Sequence, residues 1–239
     1  MSRAPILDPK LVPVQGRDAH LPAVPAQALT PEALRARFAA PPIWTPEFQG
    51  DGGRFSDRAP ADAAVLMPLV MREQGLQLLL TRRTDHLRSH AGQISFPGGR
   101  VEPEDGSVEV AALRETAEEI GLGPAHIELI GRLPVYATVT SFQVTPVVAL
   151  VRPGFELQLD AFEVAEAFEV PLAFLMDPAH HQRHRFVFEG GERQFLSMPW
   201  TPPTALAQGQ ALGQSQAQEY FIWGATAAML RNFYRFLSA

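Results

Sequence analysis

Gly98-Gly99-Arg100-Val101-Glu102-Pro103-Glu104-Asp105, followed by Ala112-Leu113-Arg114-Glu115-Thr116-Ala117-Glu118-Glu119-Ile120-Gly121-Leu122, decides the fold. A glycine pair precedes a short helix rich in carboxylates. At about 100° per residue, Glu115, Glu118 and Glu119 share an arc of about 100°. Val110, Leu113, Ala117 and Ile120 cluster on the opposite side. The spacing predicts an apolar face packed on a core and an acidic face turned the other way. Three carboxylates this close repel one another unless something positive sits among them. A hard divalent cation, Mg²⁺ or Mn²⁺, suits such oxygen ligands. A plain solvated acidic face has the same spacing, but the neighbours weigh against it. Gly121 stops the helix one residue after its last apolar position. Arg114 sits beside Glu115, where a guanidinium holds a carboxylate by a bidentate pair. Gly98-Gly99 admits close approach of backbone to a ligand.

Arg114 to Leu122 resembles the second half of the box of the Nudix hydrolases, Arg-Glu-aliphatic-x-Glu-Glu-x-Gly-aliphatic, with Thr116 where an aliphatic residue is usual. The first half of that box is Gly, five residues, Glu, then seven residues. Here Asp105 stands in place of the Glu, and eight residues separate it from Arg114. Just upstream, Leu79-Leu80-Thr81-Arg82-Arg83-Thr84-Asp85-His86-Leu87-Arg88-Ser89-His90-Ala91-Gly92-Gln93-Ile94-Ser95-Phe96-Pro97-Gly98-Gly99 looks like the signature of the coenzyme A pyrophosphatase branch of the family. That branch tolerates Asp with the longer spacing. The resemblance continues through Phe142–Val148, Glu163–Leu172 and Ile222–Ala227, and spans about residues 62 to 237.

The resemblance implies an α/β fold, a Nudix-type α/β/α sandwich with a mixed sheet and a catalytic loop-helix-loop. It implies that Glu115, Glu118, Glu119 and the Gly99 carbonyl hold Mg²⁺ or Mn²⁺, and that Arg114 orients a box carboxylate. For the general base it leaves a box glutamate, Glu163 and Glu166 as candidates. For substrate binding it points to Arg82, Arg83, Arg88, His90, Gly98 and Gly99. The branch implies hydrolysis of the diphosphate of coenzyme A and its derivatives, giving 3′,5′-ADP and 4′-phosphopantetheine or its acyl form. Two alternatives stand beside it. One is hydrolysis of another nucleoside diphosphate derivative such as ADP-ribose, NADH or an oxidised dNTP. The other is a non-catalytic ligand sensor, which loss of a box glutamate and an attached DNA-binding domain would mark.

The chain has 239 residues, 46% of them apolar, which suits one globular domain with a tail. A net charge of −6 argues against a nucleic-acid surface. There is no cysteine, hence no disulfide, zinc–thiolate site or thiol nucleophile. No basic segment precedes an apolar run near Met1, and Ala63–Met71 is too short to span a bilayer. The expectation is a cytoplasmic monomer or homodimer acting on a small molecule, with no membrane partner.

Residues 1–60, rich in Pro, Ala and Gly, are expected to form an extension with one helix, Thr30 capping Pro31 to Phe38, and 61–239 the hydrolase domain. Deletion of residues 1–25 is expected to be harmless. Strands are predicted at Val65–Met71 and Leu76–Arg82 around a hairpin turn, at Gln93–Phe96, Ile127–Leu133 and Val144–Val151, and in a hairpin around Gly190-Gly191. Helices are predicted from Ser107 to Ile120, from Pro171 and from Glu219 to Leu237. Thr204 to Gln218 reads as a low-complexity loop. His180, His181 and His184 lack a neighbouring carboxylate pattern and are expected to face solvent. Tyr136 and Phe142 are expected to pack.

Overall fold

The structure is a computed structural model that describes residues 6–53, 59–87, 91–189, 191–203 and 218–239. Its main elements in chain order are β1 (Val14–Arg17), α1 (Pro31–Ala39), β2 (Ala61–Arg72), β3 (Gly75–Arg83), β4 (Ile94–Ser95), β5 (Gly98–Arg100), α2 (Val108–Ile120), β6 (Ile127–Arg132) and β7 (Tyr136–Ala137). Then come β8 (Phe142–Val151), β9 (Val164–Pro171), α3 (Leu172–Leu175), β10 (Gln182–Phe188), β11 (Gly191–Trp200), β12 (Tyr220–Trp223) and α4 (Gly224–Ser238).

Alternation along β2 sorts the layers. Ala64 and Leu66 pack with Ala111 and Ala112 of α2. Ala63, Met67 and Leu69 belong to the cluster that contains Met229, Leu230 and Phe233 of α4. A strand with period-2 side chains, apolar on both faces, is buried between two layers. The result is an α/β/α sandwich. Among the described residues the central sheet runs β4-β3-β2-β8-β6, with β5 on β2, β7 on β8 and β9 on β3. β2 and β8 are parallel, whereas β2 and β3 form an antiparallel hairpin, so the sheet is mixed. No helix among the described residues is long and apolar enough to cross a membrane.

Three expectations are corrected. The segment from Tyr220 is not helical at first: Tyr220–Trp223 is a strand paired with β11, and the helix starts at Gly224, whose φ is 63°. A short apolar run of this kind has no period that separates strand from helix. Second, much of residues 1–60 is packed rather than extended. α1 forms with Thr30 as its cap, as predicted, and Leu34 on it is fully buried, as nearly are Val24 and Leu29. β1 adds to a second sheet of order β1-β10-β11-β12. Asp18 accepts from Arg183 at 2.8 Å and pairs with Arg231 of α4 at 3.2 Å. Glu47 accepts from Arg183, Arg231 and Arg235, each at 2.7 Å. Burial would raise the Glu47 carboxyl, yet these three guanidiniums bring it down to about 2.

Third, two of the three histidines are buried. His181 Nε2 lies 2.8 Å from the Leu175 carbonyl and its Nδ1 lies 3.1 Å from Arg231 Nη1. A donor on one side and an acceptor on the other fit the neutral ring with its proton on Nε2. Burial pushes its pKa down to about 4, and the Arg231 charge acts in the same direction. His184 is held between the Val12 carbonyl and Ser197 Oγ. The partners Val12, Arg231 and Ser197 are remote in sequence, so nothing near residues 180–184 announces them. Residues 204–217 of the low-complexity segment lie outside the described residues.

Candidate active site

α2 presents the carboxylates. Ser107 Oγ accepts from the Val110 amide at 3.2 Å, and Gly121 closes the helix in the left-handed conformation, its amide donating to Ala117 at 3.0 Å. The buried stripe is not the one the periodicity predicts. Val110 and Ala117 are exposed, and Ala111, Ala112, Thr116, Glu119 and Ile120 are buried. The helix therefore turns its glutamate face towards the protein rather than away from it. Two small alanines leave room for this close approach to β2 and β5. Thr116 fits the buried stripe because its hydroxyl donates to the Ala112 carbonyl at 2.6 Å.

Gly98 and Gly99 explain the glycine pair. Gly98 has φ 149°, and a Cβ there would lie 2.4 Å from the Ala64 carbonyl oxygen. A Cβ on Gly99 would lie 2.5 Å from Glu115 Cδ. Backbone is thus pressed directly against a box carboxylate, which only glycine permits. The Gly98 amide donates to Glu119 Oε2 at 3.1 Å, and Arg83 Nη1 lies 3.5 Å from Glu119 Oε1.

Arg114 is the hub of the loop-helix-loop. Its Nε and Nη2 donate to the two oxygens of Asp105 at 2.8 and 3.0 Å. Its Nη1 reaches Glu118 at 2.9 Å and Glu115 at 3.1 Å, and Nη2 also donates to the Arg100 carbonyl. Asp105 in turn accepts from the Glu102 amide at 2.7 Å. Asp105 thus ties the loop to the helix through Arg114, which holds its carboxyl below the usual range.

Glu119 is buried, and that burial pushes its pKa up to about 7, against the pull of the Gly98 amide and Arg83. Burial raises Glu115 as well, against Arg114. Carboxylate oxygens held on a rigid helix are of the kind a hard divalent cation takes. Among the described residues no three such groups already converge at metal-binding distance. Arg114 draws Glu115 and the exposed Glu118 towards itself.

β9 distinguishes the two outlying glutamates. Arg82 faces Glu166 and Arg83 faces Val164, with a bulge between them. Bulges re-aim side chains beside active sites. Glu163 lies 3.6 Å from Arg83 Nη2, and its charge acts on both Glu119 and Glu115. Glu166 is instead engaged by Tyr220 Oη, by Gln218 at 3.3 Å and by Arg82 at 3.4 Å. Arg82 also pairs with Asp85 at 3.8 Å. Arg88 and His90 lie outside the described residues.

Gly98 and Gly99 open into a cavity of about 720 Å³, lined also by Arg83, Phe96, Arg100 and Phe142. Its far side comes from Trp223, which the resemblance includes, and from residues that motif reading does not reach: Asp51, Arg193 and Met229. Asp51 accepts from Tyr136 Oη at 2.6 Å and from the Val139 amide at 2.8 Å, which pins residues 49–51 onto β7 and the loop after it. Tyr136 is buried there, as expected of a packing residue. No periodicity links residue 51 to 136, so only the Asp51-Gly52-Gly53 turn signal was there to be read.

The family described as NUDIX domain matches residues 60–190. Proteins named "Uncharacterized Nudix hydrolase NudL" from Escherichia coli O1:K1 / APEC and from Shigella boydii serotype 18 are each 40% identical over 172 residues, 71% of this chain and 79% of theirs. Among solved structures, RenU, a Nudix hydrolase from M. Smegmatis, is 22% identical with a TM-score of 0.44 over 55% of this chain and 86% of that one. The matched span contains the glycine turn, the carboxylate helix, Glu163 and the bulged strand that carries Glu166. By the family match and the 40% identity, this chain belongs to the Nudix hydrolase family and is a hydrolase.

Proposed function

We propose that the chain hydrolyses the diphosphate of coenzyme A and its derivatives, releasing 3′,5′-ADP and 4′-phosphopantetheine or its acyl form. The observation behind it is the placement of the segment from Leu79 to Gly99. Its β3 end supplies Arg83, its last residues supply the Gly98 amide, and both meet on Glu119. The segment that resembles the coenzyme A branch is thus the one that borders both the carboxylates and the cavity.

Glu115, Glu118, Glu119 and the Gly99 carbonyl are the groups that would hold Mg²⁺ or Mn²⁺. When bound, the cation neutralises phosphoryl oxygens and activates water. Arg114 anchors the ligand helix to the loop through Asp105. The Gly98 amide and Arg83 fix Glu119. Glu163, beside Arg83 and near the box carboxylates, takes the proton of the attacking water, in preference to Glu166, whose oxygens are engaged elsewhere. Water oxygen joins one phosphorus as the bridging P–O bond breaks, and the other phosphate leaves with the electron pair.

The test is turnover of the purified protein with Mg²⁺ or Mn²⁺ against coenzyme A, ADP-ribose, NADH and dNTPs. The highest kcat/KM is expected for coenzyme A, with 3′,5′-ADP as a product. A higher value for ADP-ribose or a dNTP overturns the assignment.

A further inference from the structure

The cavity beside the carboxylates has walls of different origin. One wall is the glycine turn and β3, within the matched span. The opposite wall includes Arg193 of β11 and Trp223 of β12, both beyond residue 190. Arg193 is half-buried, and Phe195, two residues on and so on the same face of the strand, is buried. The Phe195 ring meets Trp223 edge-on at 5.6 Å. Trp223 lines the cavity, so the Arg193 face of β11 is the one turned towards it.

The charge of this cavity runs against that of the chain. Net charge overall is −6, yet the described lining carries three guanidiniums, Arg83, Arg100 and Arg193, against one carboxylate, Asp51. Arg83 is committed to Glu119 and Glu163 on the hydrolytic side. Arg193 lies on the other side, close enough to the Asp51–Tyr136 pair for its charge to act on the Tyr136 phenol. A guanidinium there offers a planar fork matched to phosphate oxygens. A space of about 720 Å³ holds a nucleoside-sized group beyond the diphosphate.

We propose that Arg193 is a specificity-determining residue that receives a phosphomonoester carried by the substrate in addition to the diphosphate that is cleaved. The choice of coenzyme A as the preferred probe rests on the function proposed above, but the role of Arg193 does not. Bond cleavage uses residues of the matched span. The added wall selects which diphosphates enter.

The experiment uses the full chain with Mg²⁺ or Mn²⁺ and two substrate pairs, coenzyme A against 3′-dephospho-coenzyme A and NADPH against NADH. Wild type is expected to prefer the phosphorylated member of a pair it cleaves. Arg193→Gln is expected to lower that ratio of kcat/KM about tenfold, the worth of a charge-assisted hydrogen bond, and Arg193→Lys to restore part of it. A wild type without preference, or a preference that survives in Arg193→Gln, overturns the proposal. A second measurement needs no variant: 3′,5′-ADP is expected to inhibit wild type about tenfold more tightly than 5′-AMP, and equal inhibition overturns the proposal. The two assignments fail separately. If coenzyme A is left intact but NADPH is preferred and Arg193→Gln abolishes that preference, the substrate assignment falls and the role of Arg193 stands. If coenzyme A is cleaved with a ratio that Arg193→Gln does not change, the reverse holds.

Discussion

Glu119 sits where its charge is least comfortable, buried and fixed by one amide and one distant guanidinium. Glu119→Gln keeps the shape and the acceptor for the Gly98 amide but loses the charge a metal needs. Turnover at saturating Mg²⁺ is expected to fall by at least about 100-fold, some 3 kcal/mol of transition-state stabilisation, with an unchanged circular dichroism spectrum. Near-normal turnover would remove Glu119 from the metal site. Glu163 and Glu166 form a second comparison. Loss of a general base costs about 10² to 10⁴ in kcat. Glu163→Gln is expected to show such a fall, and Glu166→Gln a smaller one; a steady-state assay showing the opposite order would return the role to Glu166. The three box glutamates were legible because helical spacing alone puts them on one arc. The different surroundings of 163 and 166 were not, because they depend on a bulge between Arg82 and Arg83 that no strand pattern announces.

At the scale of elements, the carboxylate helix and the β2–β3 hairpin were readable from period and punctuation: Ser107, Gly121 and the turn before Gly75 each mark an end. The orientation of α2 was not. Alanines 111 and 112 carry little hydrophobic signal, yet their small size lets the acidic face pack inwards. The N-terminal elements were misjudged for a related reason. β1 is exposed along its length and shows no alternation, and its place is set by pairing with β10. Truncation is therefore expected to be costly rather than harmless. Removal of residues 1–25 strips Asp18 from the buried Arg231 and deletes Val24 from the core. Breaking a buried pair costs about 3–5 kcal/mol. The truncated protein is expected to lose that much in urea unfolding, or to be insoluble, and an undiminished unfolding midpoint would show the segment to be dispensable.

Across the whole molecule, two buried groups oppose each other in their response to acid. His181 titrates near 4 in the folded chain, against about 6.5 unfolded, so between these values the unfolded chain binds more protons and stability falls as pH falls. Glu119 titrates near 7 folded, against about 4.3 unfolded, so stability rises as pH falls through the same window. Glu115 acts in the direction of Glu119. Each of His181 and Glu119 contributes about 2 kcal/mol between pH 7 and pH 5, with opposite sign. Metal-free wild type is therefore expected to show little net change over that interval. The Glu115→Gln/Glu119→Gln double variant is expected to lose about 2 kcal/mol on the same acidification. Urea midpoints at the two pH values measure this, and a double variant as flat as wild type would mean that His181 is not held neutral.

Glu47 and Arg231 meet across 184 positions of sequence, and Arg235 joins them from the same helix. The same late stretch supplies Trp223 and Met229 to the cavity wall. During synthesis the carboxylate helix, residues 108–120, is made well before these groups. The cavity then lacks Arg193, Trp223 and Met229, and the acids at 18 and 47 have no guanidinium at 231 to meet. Synthesis thus makes the carboxylates before the wall that faces them, and the cavity cannot be complete until residue 229 has been added.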